Sequence, residues 1–83
     1  MAVPFNQMRE FENQRVRMTF DGGYELVGFL LSATQDMDGS QHLIYEKVEW
    51  TNDLREFARA KDAVFHAEGE LLLSIEAAGA IDA

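Results

Sequence analysis

The N-terminal stretch has large apolar side chains at three-residue spacing. Phe5, Met8 and Phe11 alternate with polar residues, and Pro4 suits the first turn of a helix. This pattern predicts a short amphipathic helix over residues 4 to 12. Because so short a helix is not stable alone in water, we expect its apolar face to pack on another element.

From residue 15 the hydrophobic period changes to two, as in a strand with one buried face. Val16, Met18 and Phe20 share that face, and the glycines of Asp21-Gly22-Gly23 suit a tight hairpin turn. A second strand is predicted over residues 24 to 33. It is apolar on both faces and is interrupted by Gly28, which predicts a bulge or a bend there.

A polar loop over residues 34 to 40 leads to a third strand over residues 41 to 50. Strand alternation places its apolar residues on two sides, with Ile44, Val48 and Trp50 on one and Leu43 and Tyr45 on the other. Residues 51 to 62 fit a helical turn or two, a longer strand or a hairpin loop. Two short strands, 63 to 66 and 71 to 76, are predicted around a turn.

The order of these elements predicts a mainly β protein. A length of 83 residues predicts a single domain, which we assign to residues 1 to 76, with a C-terminal tail over 77 to 83. One short helix followed by five antiparallel strands is typical of a small, strongly bent barrel of the SH3-like kind.

The last strand suggests association between copies. Leu71, Leu72 and Leu73 are consecutive, so the strand is apolar toward both faces. A small chain without cysteine often gains burial by oligomerising, and head-to-tail strand addition can close a ring. We therefore predict an oligomer interface at these three leucines together with Val64 and Phe65.

The composition narrows the classes of function. Fifteen acidic and seven basic residues give a net charge of −8, which repels phosphate at long range. The absence of cysteine excludes thiol catalysis and thiolate metal sites. No triad, phosphate loop or pair of catalytic carboxylates is evident, so we expect no enzyme, no catalytic residue and no cofactor. No apolar stretch is long enough to span a membrane, and we expect a cytoplasmic protein.

Histidines and carboxylates provide the candidate ligands for a metal ion. His42 and His66, with Asp36, Asp38 and Glu68, include suitable donors, but their spacing matches no zinc pattern. We therefore predict no metal site and expect both histidines to make hydrogen bonds. Two basic clusters, Arg9-Arg15-Arg17 and Arg55-Arg59-Lys61, are interleaved with acids, which favours ion pairs. The aromatic residues are expected mainly in the core.

Two segments resemble the motifs of the Sm-like family of small barrels. Residues 15 to 22 (RVRMTFDG), followed by Gly28-Phe29-Leu30, resemble its first motif, and residues 67 to 75 (AEGELLLSI) resemble its second. The resemblance covers nearly the whole chain and implies a ring of identical subunits. It also implies RNA-binding positions at His42 and Gly69, together with the basic Arg15 and Arg17. Glu68 stands where the family has arginine, which predicts weakened RNA binding.

Three functions follow from this sequence. The first is a ring-forming homo-oligomer with weakened or altered RNA binding. The second is an RNA-binding protein or RNA chaperone that keeps the family's activity. The third is a small adaptor subunit of a hetero-complex.

Overall fold

The computed structural model describes residues 3–53 and 63–78. In this part of the chain one helix precedes five strands. Their bounds are α1 Phe5–Glu10, β1 Gln14–Phe20, β2 Tyr24–Gln35, β3 Gln41–Thr51, β4 Phe65–Glu68 and β5 Leu72–Ala77, with a 3₁₀ turn at Gly69–Leu71 between the last two strands.

The five strands form a single antiparallel sheet in the order β4-β3-β2-β1-β5. The mainly β architecture with a short N-terminal helix is therefore confirmed. The sheet is not closed, because within the described residues β4 and β5 are its two edges and no ladder joins them. The expected barrel is therefore not confirmed, and the described residues form an open five-stranded sheet.

The helix α1 is shorter than predicted, but it packs as its apolar spacing requires. It begins after Pro4 and ends before Phe11, and Met8 is completely buried. Two hydrogen bonds attach the segment after it to β2. Asn13 N donates to Leu30 O at 2.7 Å, and Glu12 Oε2 accepts from Ala33 N at 2.8 Å. The short helix is stabilised by this packing rather than by its own length.

The hairpin of β1 and β2 confirms the period-two pattern. Val16, Met18 and Phe20 are all buried. Gly22 and Gly23 adopt φ angles of 89° and 87°, which glycine tolerates without steric cost. The turn therefore brings Phe20 opposite Tyr24 in the ladder.

The pairing of β2 with β3 contains the irregularity predicted at Gly28. The register passes from Val27↔Trp50 to Phe29↔Glu46, so β3 has two extra residues at this point. Lys47 lies there with a φ of 53°, in the left-handed region. A Cβ on Gly28 would lie 3.2 Å from Glu46 O, so glycine permits the close approach of β3.

The irregularity changes which residues of β3 face the core. Val48 is buried together with Leu43 and Tyr45, so its predicted position on the opposite side is wrong. Trp50, expected in the core, is 44% exposed. The first extra residue reverses the alternation, which brings Val48 to the core side, and the second restores it. Trp50 therefore lies on the side away from Leu43 and Tyr45, as the alternation predicts, and only its expected place in the core is wrong.

The remaining predicted segments are only partly described. Residues 54–62, which include the second basic cluster, lie outside the described residues, as do 79–83 of the predicted tail. Ala77, the first residue assigned to that tail, is the last residue of β5. The last two strands begin later than predicted, at Phe65 and Leu72.

Candidate functional site

The two edges of the sheet are the first candidate site. Within the described chain, β4 pairs only with β3 and β5 pairs only with β1. An unpaired edge presents backbone N–H and C=O groups that can form a ladder with another strand. The start of β5 is partly covered, since Val3 N donates to Leu72 O at 3.0 Å. Within residues 3–53 and 63–78, no strand pairs with the remainder of β5 or with the outer side of β4.

A bulge in β5 determines which of its leucines faces the core. The register passes from Thr19↔Ser74 to Phe20↔Leu72, which leaves Leu73 as the extra residue. Leu72 is completely buried, whereas Leu73 is 42% exposed. The side chain of Leu72 thus packs in the core of its own chain, and its assignment to an interface with another copy stays a prediction.

The other predicted interface residues lie near the two edges. Leu71, which ends the 3₁₀ turn, is 44% exposed, and Val64, just before β4, is 60% exposed. Phe65 is partly buried and stacks on Tyr45 with ring centroids 5.6 Å apart. Exposed apolar side chains therefore lie beside both edge strands, whereas Phe65 packs mainly within its own chain.

A groove of about 350 Å³ lies between the β1–β2 turn and the β4–β5 connection. Its walls are mainly aromatic and apolar, with Phe20, Tyr24, Tyr45, Ala67 and Leu71 among the lining residues. The groove continues the apolar surface that begins at Leu71.

The second candidate site is a polar cluster on β3 and β4. His42 Nδ1 lies 2.8 Å from His66 Nε2, and His42 Nε2 lies 2.9 Å from Asp36 Oδ2. The carboxylate can only accept, so His42 donates from Nε2 and, in its neutral form, accepts at Nδ1 from His66. The three side chains form one hydrogen-bonded chain. The expectation that both histidines make hydrogen bonds is confirmed.

The loop before β3 is held by its own carboxylates. Asp38 Oδ1 accepts from Ser40 Oγ at 2.5 Å and from Ser40 N at 2.9 Å. These bonds, the hydroxyl bond first, lower the pKa of Asp38 below its ordinary value. Asp38 thus acts within the turn. Across the described residues, no three or more imidazole and carboxylate side chains converge as a ligand set for a metal ion.

Arg15 and Arg17, the basic candidates for RNA contact, are both engaged with acids. Arg15 donates to both carboxylate oxygens of Glu49, at 2.5 and 2.8 Å. This hydrogen bonding raises the pKa of Arg15 and lowers that of Glu49. Arg17 lies 3.6 Å from Glu25 and 3.9 Å from Glu76. The prediction of ion pairs is confirmed for both arginines.

The predicted RNA-binding residues divide into two groups. Gly69 packs against Gln41, next to His42, because a Cβ on this glycine would lie 2.7 Å from Gln41 Cβ. His42 itself is opposite Glu68 in the β3–β4 ladder. Arg15 and Arg17 are on β1, two strands away in the sheet. The structure therefore places the histidine and the glycine at one corner and the arginines elsewhere.

Sequence reasoning did not bring the two histidines together. They are separated by 24 positions, and their contact depends on the register in which Ile44 pairs with His66. Their placement on adjacent strands was the only available signal. The sequence also did not predict Trp50 as a surface residue. The Arg17 guanidinium carbon lies 5.5 Å from the centre of its indole ring.

Comparison of the chain with protein-family models, curated proteins and solved structures finds no match. The resemblance to the Sm-like family thus remains a prediction from the motifs. None of the helices in residues 3–53 and 63–78 is long and apolar enough to cross a membrane.

Proposed function

We propose that this protein is a self-assembling structural domain whose copies join head to tail. In each joint, the free edge of β4 in one copy pairs with the free edge of β5 in the next. The supporting observation is that both edges of one open sheet lack a partner strand within the described residues. Two different surfaces then meet, and such heterologous contacts form a ring when the rotation between copies closes.

The exposed apolar residues favour a second copy of this chain as the partner. Leu71 lies just before β5, Leu73 lies within it, and Val64 lies just before β4, all three exposed. Fully burying a leucine or valine is worth about 1.5–3 kcal/mol, so covering the exposed part of each contributes roughly 1 kcal/mol. The joint adds backbone hydrogen bonds to this apolar contact. One chain supplies both complementary edges.

The acidic charges on the two edges predict that assembly strengthens as the salt concentration rises. Glu68 is on β4 and Glu76 is on β5, and residues 62 to 83 contain no lysine or arginine. Joining the two edges brings acidic groups closer together, which is unfavourable at low ionic strength. Added salt should therefore strengthen assembly. Binding to RNA would respond in the opposite way, because counterion release weakens with salt.

RNA binding is the second candidate function, because the charges around the predicted RNA-binding residues disfavour it. Arg15 and Arg17 are already engaged with glutamates, and Glu68 opposes phosphate beside His42. A role as an adaptor in a hetero-complex would use the same edges with a different partner. The adaptor alternative predicts a wild-type protein that does not associate with itself, whereas the RNA-binding alternative predicts saturable RNA binding that weakens with salt.

The test is the molar mass of the full chain, measured by light scattering during gel filtration over a range of protein and salt concentrations. Leu73→Asp places a carboxylate in the joint, whereas Ser74→Asp adds the same charge at the next exposed position. Lost apolar burial of ~1 kcal/mol and carboxylate desolvation of ~2 kcal/mol should weaken each joint roughly 100-fold in Leu73→Asp. Ser74→Asp should have the smaller effect.

A wild-type monomer at millimolar concentration and high salt would overturn the proposal. Equal loss of assembly in the two variants would show that charge, and not contact at Leu73, controls association. A fluorescence anisotropy titration with uridine-rich RNA at low salt separates the second function. Saturable binding that weakens steeply with salt would favour RNA binding over the structural role.

A further inference from the structure

The contact between His42 and His66 brings two imidazole nitrogens within 2.8 Å of each other. A neutral imidazole has one nitrogen with a free lone pair, which is the form that binds metal ions. The chain contains two histidines and no cysteine, so these rings are its only strong nitrogen or sulfur side-chain ligands for a transition metal. The fold has placed both of them together.

The distance between the nitrogens suits one class of cation. Imidazole nitrogens bind a metal such as zinc at about 2.0–2.1 Å, so two of them at a right angle are about 2.9 Å apart, and at a tetrahedral angle about 3.3 Å. The observed 2.8 Å is a hydrogen-bond distance, and it leaves the two nitrogens close enough for right-angle coordination once each ring turns its lone pair toward a shared ion. Right-angle coordination by nitrogen and oxygen is typical of Cu(II) and Ni(II).

Asp36 completes an arrangement found around metal-binding histidines. Its Oδ2 accepts a hydrogen bond from His42 Nε2 at 2.9 Å, which holds the ring and leaves Nδ1 directed at His66. A carboxylate behind a ligating imidazole fixes the tautomer and increases its basicity. Among the described residues, Asp38, Glu68 and Glu70 also lie near His42, and their negative charges favour a cation.

We propose that His42 Nδ1 and His66 Nε2 form a two-nitrogen chelate for a late first-row divalent cation, with Cu(II) bound most tightly. Water or other oxygen donors fill the remaining positions. The proton between the nitrogens must leave that contact, which a neutral His66 achieves by moving its proton from Nε2 to Nδ1. When the pair also carries an added proton, binding releases that proton to solvent.

The location of the chelate predicts its effect on the fold. His42 is on β3 and His66 is on β4, and β4 has only four residues. A bound cation would link the edge strand to its neighbour within one chain. Because the cation binds the folded state, it should raise the melting temperature and protect β4 from local opening.

The experiment titrates the N-terminally acetylated full chain with CuCl₂ and with NiCl₂, by calorimetry and by electron paramagnetic resonance for copper. We expect one ion per chain, two nitrogen ligands in the copper spectrum and a melting transition that rises with metal and returns with chelator. His42→Gln and His66→Gln should each weaken binding more than about tenfold, since each leaves a single imidazole. Asp36→Asn should weaken it about tenfold through the ring it orients.

Asp38→Asn is the matched control, because it removes a nearby carboxylate that bonds to Ser40. It should change affinity far less than the histidine variants. Affinity unchanged in His66→Gln, or a copper spectrum with fewer than two imidazole nitrogens, would overturn the proposal and leave a proton-sharing pair. If a histidine variant fails to fold, Asp36→Asn and the wild-type copper spectrum still decide the question.

Discussion

Adjacent leucines of β5 provide a sharp test of the structure. Leu72 is completely buried and Leu73 is 42% exposed, although both have the same chemistry and neighbouring positions. Replacing each with alanine removes the same atoms from opposite environments. The comparison tests the bulge at Leu73, because the bulge determines which leucine enters the core.

The expected costs differ severalfold. A leucine-to-alanine change at a fully buried site costs about 2–5 kcal/mol, from lost apolar transfer and from the cavity that remains. We expect about 3 kcal/mol for Leu72→Ala. Leu73→Ala should cost about 1 kcal/mol or less, because much of the side chain already contacts water. For a domain of this size, 1 kcal/mol lowers the melting temperature by roughly 4–8 °C.

Urea denaturation followed by circular dichroism measures both costs. It should be carried out at low protein concentration, because Leu73 also lies in the proposed joint and assembly would add to its apparent contribution. A similar loss of unfolding free energy in the two variants would refute the inward position of Leu72. A larger loss in Leu73→Ala would reverse the assignment of the two faces.

Two further predictions concern backbone packing and acid stability. Gly28→Val should lower the free energy of unfolding in urea by about 1–3 kcal/mol, because a Cβ there lies 3.2 Å from Glu46 O. The control Thr34→Val, at an exposed position of the same strand, should lower it little. Equal losses in the two variants would contradict the close approach. Folding depresses the pKa of Glu49 through its hydrogen bonds with Arg15, so this stabilisation is present above the ordinary glutamate value of 4.5 and is lost as pH falls through the lower folded value. The free energy of unfolding of Glu49→Gln, measured with urea, should therefore lie below that of the wild type near neutral pH, by at most about 1 kcal/mol for this partly exposed pair. The two values should converge in acid, and a constant gap would contradict this linkage.

The regular parts of the fold were predictable because local chemistry decides them. The glycines at positions 22 and 23 allow positive φ, and alternation around them defines β1 and the start of β2. Gly28 likewise indicated an irregular point, which the β2–β3 register confirms. In each case the residue type and the required backbone conformation agree.

The two shifts of strand face could not be predicted in the same way. Lys47 has no intrinsic preference for its φ of 53°, and Leu73 does not differ chemically from its neighbours. Each conformation depends on the partner strand, against which extra residues must be accommodated. Val48 and Leu72 consequently face the core for reasons that lie in the pairing rather than in their own segment.

The candidate sites show the same dependence on pairing. Ion pairing of Arg15 was expected from nearby acids, but its partner is Glu49 on β3, 34 residues away. The contact of His42 with His66 required the register of β3 and β4, and the sequence left the preceding segment open among helix, strand and loop. Residue types therefore predicted the kind of interaction, whereas the sheet selected the partners.

The proposed assembly and the proposed metal site both involve β4, but they use different sides of the strand. This strand has four residues and one neighbouring strand in the described chain, so it is the shorter edge of the sheet. A chelate between His42 and His66 would hold β4 against β3 without occupying the outer edge used in the joint. Holding the strand reduces the ordering cost of pairing it with another copy. Metal binding should then strengthen assembly while Leu73→Asp leaves metal affinity unchanged, because the chelate lies within one chain.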